Sequence, residues 1–256
     1  SDLHPVVADL VCSAGIQSLY SHQAETINLV LQGRDVVLCT STASGKSLAY
    51  QCAVLDRLIR EPDSHALFLF PLKALERDQR DSFLSIAQDS GITAAVYDGD
   101  TSESERKKIK KHPPRVLITN PDMLHLSLLP YHDGWKEFFG KLAHVVLDEV
   151  HTYKGIFGSH ISQVILRLQR VCAIYNAQPA FIACSATISN PGDLVSKLIG
   201  REVAVVADSG APSSQKHFIF LNPILSPYTV AARLFTQAVQ MGLKTIVFTK
   251  ARKITE

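Results

Sequence analysis

No stretch of this chain has the length and apolar character needed to span a bilayer, so no membrane role is expected. The opening Ser1-Asp-Leu-His-Pro5 has neither a basic start nor an apolar core, so it does not read as a secretory leader. It also lacks a methionine, as an excised fragment would. None of the cysteines (Cys12, Cys39, Cys52, Cys172, Cys184) stands in a C-x-x-C pair, and all five read as reduced core thiols of an intracellular protein. A net charge of +2 is too small to imply a nucleic-acid partner by itself. Internal repeats and low-complexity tracts are absent as well. What remains is an ordinary α/β composition, 46% hydrophobic and 20% charged, in 256 residues, enough for one large domain or one domain and part of another.

Short apolar runs alternate with helical periods from about residue 23 onward, the pattern of a parallel sheet covered by helices. Strands are expected at 35–39, 66–70, 93–97, 115–119, 143–147, 180–184 and 203–206. Helices are expected near 46–60, 73–88, 102–111, 121–127 and 159–175, the last with Ile161, Val164, Ile165, Leu168, Val171 and Cys172 on one face. Several strands are apolar throughout, as expected when both faces of a sheet are covered. Near residue 208 the character changes. Asp208 to Ser214 is a small, polar linker, placing one domain at 1–207 and another segment at 215–256. That segment holds an expected strand (217–221), a helix (about 226–242) and a strand (Thr245 to Phe248). Together these are too little to bury a core, so it reads as the truncated start of a second domain.

Two stretches carry the chemistry. Thr40-Ser-Thr42-Ala43-Ser44-Gly45-Lys46-Ser47 joins a strand to a helix, and its small residues let backbone N–H groups turn inward around phosphate oxygens. Lys46 is placed to neutralise β and γ phosphates, and Ser47 to offer a hydroxyl to magnesium. Thr40 stands where Gly or Ala is usual, and a plain N-capped helix start is the alternative. Val145-Val-Leu-Asp148-Glu149-Val-His151 puts Asp148 at the carboxyl end of a buried strand, as a magnesium ligand direct or through water. Glu149 is then placed to orient and deprotonate the attacking water, and His151 to link the γ-phosphate to the rest of the site. An acidic helix start is the alternative here. Together the stretches point to hydrolysis of a nucleoside triphosphate with Mg2+, which the resemblance below narrows to ATP.

At this point the chain resembles a superfamily 2 helicase of the DExH kind. Tyr20-Ser-His-Gln23 is similar to the adenine-recognising Gln motif, and Thr40 to Ser47 to motif I. Pro71-Leu-Lys73-Ala-Leu75 is similar to motif Ia, Thr119-Asn120-Pro121-Asp-Met-Leu124 to motif Ib and Asp148 to His151 to motif II. Ser185-Ala-Thr187 is similar to motif III, and Thr245 to Lys253 to the start of motif IV. Ser-His-Gln, Thr-Ala-Ser-Gly-Lys-Ser, Asn-Pro-Asp-Met-Leu-His and Gly155-Ile-Phe-Gly-Ser-His160 resemble the Hrq-type branch, RecQ-four-related DNA helicases of nuclei and prokaryotes. The resemblance implies a RecA-like, three-layer P-loop fold with a mostly parallel central sheet, followed by a second RecA-like domain and a zinc-bearing region. It also implies 3′ to 5′ translocation on single-stranded or forked DNA and work in DNA repair. The location implied is the nucleus, or the cytoplasm in a prokaryote.

The supporting residues have physical readings of their own. The Gln23 amide offers a donor and an acceptor, which suits the exposed edge of adenine; a solvated helix-start glutamine is the alternative. Pro71 ends a strand, so Lys73 stands on a loop where it can meet a DNA phosphate. Asn120-Pro121 reads as an N-cap with proline at the first helical position, with Thr119 beside it. Asp98-Gly99-Asp100 is a turn first and a nucleic-acid contact second. Ser185 and Thr187 stand where hydroxyls can couple the phosphate site to the DNA grip, or simply cap a bend. The run Arg106 to Lys111 reads as a solvated helix face, because Glu103 and Glu105 share the helix. RNA as the tracked strand, a duplex remodeller and a non-catalytic nucleic-acid-binding module remain open on these residues alone; a small-molecule kinase fits poorly.

Overall fold

The computed structural model describes residues 2–212 and 217–248. They form two compact units that divide between Pro212 and Ser213. The first contains seven strands: β1 (Val36–Cys39), β2 (His65–Leu69), β3 (Ala94–Val96), β4 (Val116–Thr119), β5 (Leu142–Leu147), β6 (Ala180–Ser185) and β7 (Ala204–Val206). They form one sheet in the order β3-β4-β2-β5-β6-β1-β7, parallel at every pairing. Nearly continuous apolar strands are what this arrangement needs, since alternate side chains enter opposite cores.

One core takes Val36, Leu38, Ala66, Phe68, Val116, Ile118, Val146 and Ile182. It is covered by α1 (Pro5–Ser13), α2 (Ser21–Leu31), α3 (Lys46–Arg60) and α4 (Lys73–Ile86). The other takes Val37, Leu67, Leu117, Val145, Leu147 and Phe181. Over it lie α5 (Glu103–Lys111), α6 (Pro121–Met123), α7 (Lys136–Gly140), α8 (Gly155–Ile174) and α9 (Pro191–Ile199). The expected three-layer fold is therefore present, and its sheet is wholly parallel.

Several elements differ from expectation. Helix α8 begins at Gly155 rather than 159, because Gly155 adopts a left-handed φ of 57° that turns the chain into the helix. The helix expected at 121–127 is one α turn that widens into a π turn over Leu124–Leu128 and tightens to a 3₁₀ segment over Leu129–Trp135. Helices α1, α2, α7 and α9 add to the expectation: α1 and α2 carry a weak apolar period and α7 has only five residues, whereas α9 is strongly amphipathic but only nine residues long. Cys12, on α1, is exposed rather than a core thiol, whereas the other four cysteines are buried; all five are free.

In the second unit, α10 (Pro227–Gln240) forms as expected. The strands expected at 217–221 and 245–248 do not, and Phe218 and Phe220 are 82% and 94% exposed. A strand needs a neighbour for its backbone groups, and no described strand pairs with either segment. Residues 249–253 of the motif IV resemblance lie outside the described residues. Among the described residues no helix is long and apolar enough to cross a membrane.

Phe68 joins the sheet to both helices above it, with its ring edge-to-face against Tyr50 of α3 at 5.4 Å and Phe83 of α4 at 5.7 Å. Phe68→Ala is expected to cost about 3–5 kcal/mol of stability. Denaturant unfolding followed by circular dichroism checks this; an unchanged midpoint would contradict the packing described.

Candidate functional site

Strand β6 lies between β1 and β5, with Cys39 opposite Ser185 and Ala183 opposite both Val37 and Leu147. The chain after each strand therefore leaves the sheet at one carboxyl edge. Thr40 begins the phosphate loop, Ala186 follows β6 and Asp148 follows β5.

The loop turns by placing Ala43 and Gly45 at left-handed φ values of 61° and 80°. Its carbonyls are drawn away from the concave side. Thr40 O and Ser41 O accept from the Lys46 ammonium at 3.1 and 2.8 Å. Ser44 O lies 3.0 Å from His22 Nε2, and Gly45 O accepts from Gln23 Nε2 at 2.8 Å. Among the described residues none of the backbone N–H groups of residues 41–45 donates to a protein acceptor. Such a row of free donors ahead of a helix is an anion cradle. Thr40 and Ser44 are buried and tie hydroxyl to hydroxyl at 2.7 Å, which shows what threonine does where Gly or Ala is usual. Thr42 and Ala43 are exposed at the loop's tip.

Gln23 is buried at the start of α2. Its Oε1 accepts from Tyr20 N at 2.8 Å while its amide nitrogen holds Gly45 O. The amide is thus a brace for the loop, with one N–H and one lone pair left over. A Cβ at residue 45 would sit 2.5 Å from Gln23 Nε2, so only glycine fits both that contact and the positive φ. Tyr20 stacks on His22 with ring centroids 5.8 Å apart and keeps its outer face exposed.

Asp148 is buried, and its pKa is pushed up to about 6, chiefly by burial. Its Oδ1 accepts from Glu149 N at 2.8 Å, and its Oδ2 lies 3.3 Å from the Tyr50 hydroxyl. Tyr50 stands one turn after Ser47 on α3, and its phenol lies 2.9 Å from Gln79 Oε1 as well as 3.3 Å from Asp148. Ser47 and Asp148 offer a hydroxyl and a carboxylate, hard oxygens suited to Mg2+, which takes few protein ligands and keeps phosphate and water. Among the described residues no group of three or more His, Cys, Asp or Glu is placed to hold a metal ion.

Glu149 adopts a left-handed φ of 51°, strained for a residue with a Cβ. The turn brings its Oε2 to 3.2 Å from His151 Nδ1, an atom that is also 3.3 Å from Ala186 N. Protonated, that nitrogen donates to Glu149; unprotonated, it accepts from Ala186. His151 Nδ1 thus stands between the acidic box and the segment after β6, bonding to one of them at a time. Ser185 is buried and donates to Ala186 O at 2.7 Å, whereas Thr187 is exposed; neither hydroxyl bonds to Lys46, Asp148 or Glu149.

The nucleic-acid candidates gather in a groove of about 190 Å³ lined by Pro71, Lys73, Gly99, Asn120, Pro121 and Phe157, among others. Lys73, half exposed, pairs with Asp100 at 3.2 Å and lies close over Gly99. Thr119 is the exception. It is wholly buried and its hydroxyl donates to Tyr97 O, so it fastens β4 to the strand beside it and does not face the groove. The Asn120 side chain is committed too, capping Met123 N at 3.0 Å and donating to Glu76 Oε1 at 3.0 Å. In the 98–101 turn, Asp98 Oδ1 accepts from the N–H groups of Asp100 and Thr101 at 2.9 and 2.8 Å, confirming its structural role. Arg106 holds Asp98 O and Thr101 O, so it is a fastener rather than part of a solvated face.

Sequence reasoning missed His22, Tyr50 and Glu76. The spacing of Tyr50 one turn beyond Ser47 was a usable signal; His22 and Glu76 gave none, because their partners are 22 and 44 residues away. A separate cleft of about 450 Å³ at the opposite sheet edge, lined by Arg57 and His144 among others, contains no predicted site residue.

A sequence model of the DEAD/DEAH box helicase family matches residues 20–194. The Bacillus subtilis protein named uncharacterized ATP-dependent helicase YprA is 41% identical over 249 residues, covering 93% of this chain and 33% of its own length. The Saccharomyces cerevisiae ATP-dependent helicase HRQ1 is 39% identical over 256 residues, covering 94% of this chain and 24% of its own length. The crystal structure of the DUF1998 helicase MrfA bound to DNA superposes with a TM-score of 0.93 at 39% identity, covering 98% of this chain and 37% of that one. The chain thus spans about a third or less of the length of these relatives.

Glu76 is fully buried, and its pKa is raised from 4.5 to about 7, first by burial and against the Asn120 hydrogen bond that lowers it. The unfolded chain releases this proton near pH 4.5 while the fold retains it, so the carboxyl lowers stability progressively as pH rises from 4.5 to about 7. Glu76→Gln, which keeps an acceptor for Asn120, is expected to gain up to about 3 kcal/mol relative to wild type between pH 5 and pH 8. Thermal or denaturant melts at both values check this; an equal difference at the two pH values would sink it.

Proposed function

The chain belongs to the DEAD/DEAH box helicase family, a family of nucleic-acid-dependent ATP hydrolases, and on that premise we propose that it carries the ATP-binding motor domain of a DNA helicase. The observation that carries this reading is the cradle of unpaired N–H groups at 41–45 beside the Asp148-Glu149 pair. The cradle and the Lys46 ammonium hold the phosphates. Ser47 and Asp148 hold the magnesium ion, which supplies charge neutralisation at the phosphates when bound. Glu149 orients the attacking water and takes its proton, and Tyr20 with Gln23 borders the base. His151 Nδ1 exchanges between Glu149 and Ala186, so a change at the acidic box reaches the end of β6 by making or breaking the bond to Ala186.

The groove of Lys73 and Asn120 meets the sugar-phosphate backbone of the tracked strand; the MrfA helicase that superposes on this chain is itself bound to DNA in its crystal structure. By resemblance the motion is 3′ to 5′ on single-stranded or forked DNA, in the service of repair. Residues 215–256 open a second RecA-like domain after a linker at 208–214, and that domain supplies the arginine needed for fast hydrolysis. The location follows the host: nucleus in a eukaryote, cytoplasm in a prokaryote.

In the full-length protein, Lys46→Ala and Glu149→Gln are each expected to lower DNA-stimulated ATP turnover at least about 100-fold. Phosphate release with DNA and RNA tracking strands reads this out, and unchanged turnover in either variant would refute the assignment. The isolated 256-residue chain is expected to bind ATP weakly and turn it over far below the full-length rate; comparable DNA-stimulated turnover would show that this segment holds a complete site.

A further inference from the structure

The groove of Lys73 and Asn120 ends at Phe157, and on the other side of that ring a second cleft opens. It measures about 450 Å³ and lies between residues 121–125 and α8, lined by Pro121, His125, Phe157, His160, Arg167 and Arg170. Pro121 and Phe157 belong to both grooves, so the two are continuous. Phe157, His160, Val164 and Arg167 follow one another at helical spacing, forming a stripe about 15 Å long on one face of α8.

Three features set this cleft apart. Phe157 is 45% exposed, with its ring 5.8 Å from that of Tyr153, and its neighbour Ile156 is 81% exposed, whereas Ile161, Val164, Ile165 and Leu168 further along the helix are buried in the core. Arg167 faces His125 Nδ1 at 3.4 Å and Arg170 donates only to Leu166 O at 3.3 Å. Among the described residues neither guanidinium has a carboxylate partner, whereas Arg57, Arg60, Arg80 and Arg201 each do. The cleft contains one carboxylate, Asp122, against two guanidiniums and two imidazoles. An exposed ring at one end of a cleft that also holds two unpaired guanidiniums, continuous with a lysine-bearing groove, matches the chemistry of single-stranded nucleic acid, which needs a stacking platform and cations for its phosphodiesters.

We propose that the cleft between residues 121–125 and α8 is a second segment of the single-strand path, in which Arg167 and Arg170 hold phosphodiester groups and Phe157 stacks a base where the two grooves join. This rests on reading the Lys73 groove as a nucleic-acid interface.

The test uses the full-length protein and a fluorescent single-stranded oligonucleotide, with affinity measured across a salt series. Arg167→Gln/Arg170→Gln is expected to reduce the slope of log affinity against log salt by about 1.4, two contacts at about 0.7 each. Lys73→Ala reduces it by about 0.7. Phe157→Ala weakens binding about 10-fold with the slope unchanged, and Phe157→Tyr restores it. An unaltered melting temperature and circular dichroism spectrum establish that the folds are intact. An unchanged slope in the double variant, with Lys73→Ala still lowering it, overturns this inference alone. Failure of the wild-type protein to bind single strands, or no effect of Lys73→Ala, overturns the reading of the groove and this inference with it.

Discussion

The insertion of β6 between β1 and β5 governs everything at the carboxyl edge of the sheet. Because all three strands are parallel and in register, the loops that follow them start within one or two strand spacings of each other. A loop carrying free N–H groups, a loop carrying two carboxylates and the short Ser185-Ala-Thr187 segment become neighbours through backbone pairing alone. No side chain has to reach far. The buried faces of the same strands fix the register, since a slip of one residue would exchange the two cores.

Within that frame, the phosphate loop is held from its outer side. Helix α2 supplies two side chains, His22 and Gln23, that take up the carbonyls of Ser44 and Gly45, and Lys46 takes up those of Thr40 and Ser41. A polar loop next to a buried core must satisfy its acceptors. Satisfying them this way is what leaves the opposing N–H groups available. The Gln motif, read in the sequence as a contact to the base, therefore also shapes the surface that meets the phosphates.

The sequence carried the strands of the first unit to within a residue or two, because a wholly parallel sheet writes itself as apolar runs ended by small or charged residues. It carried the phosphate loop, the acidic box and the members of the Lys73 groove for the same reason: each sits at a strand end, where local chemistry and topology coincide. It failed where the decisive partner is distant. Thr119 sits beside a good N-cap, yet its hydroxyl is taken by Tyr97, 22 residues earlier. Glu76 looks like one more surface acid on a charged helix until Asn120 arrives above it. The strands expected at 217–221 and 245–248 show the converse, since their β propensity has no described neighbour to pair with, and propensity without a partner does not make a sheet.

His22 holds more than the loop. Its second ring nitrogen accepts from Gly210 N at 3.2 Å, where the chain is leaving the first unit. One imidazole therefore spans the phosphate loop and the exit of the polypeptide, with Nε2 donating to Ser44 and Nδ1 accepting from Gly210, which fixes its neutral tautomer. The path from Gly210 to the phosphate loop is therefore only two hydrogen bonds long, and a shift of the chain at Gly210 is felt at the Ser44 carbonyl through one rigid ring.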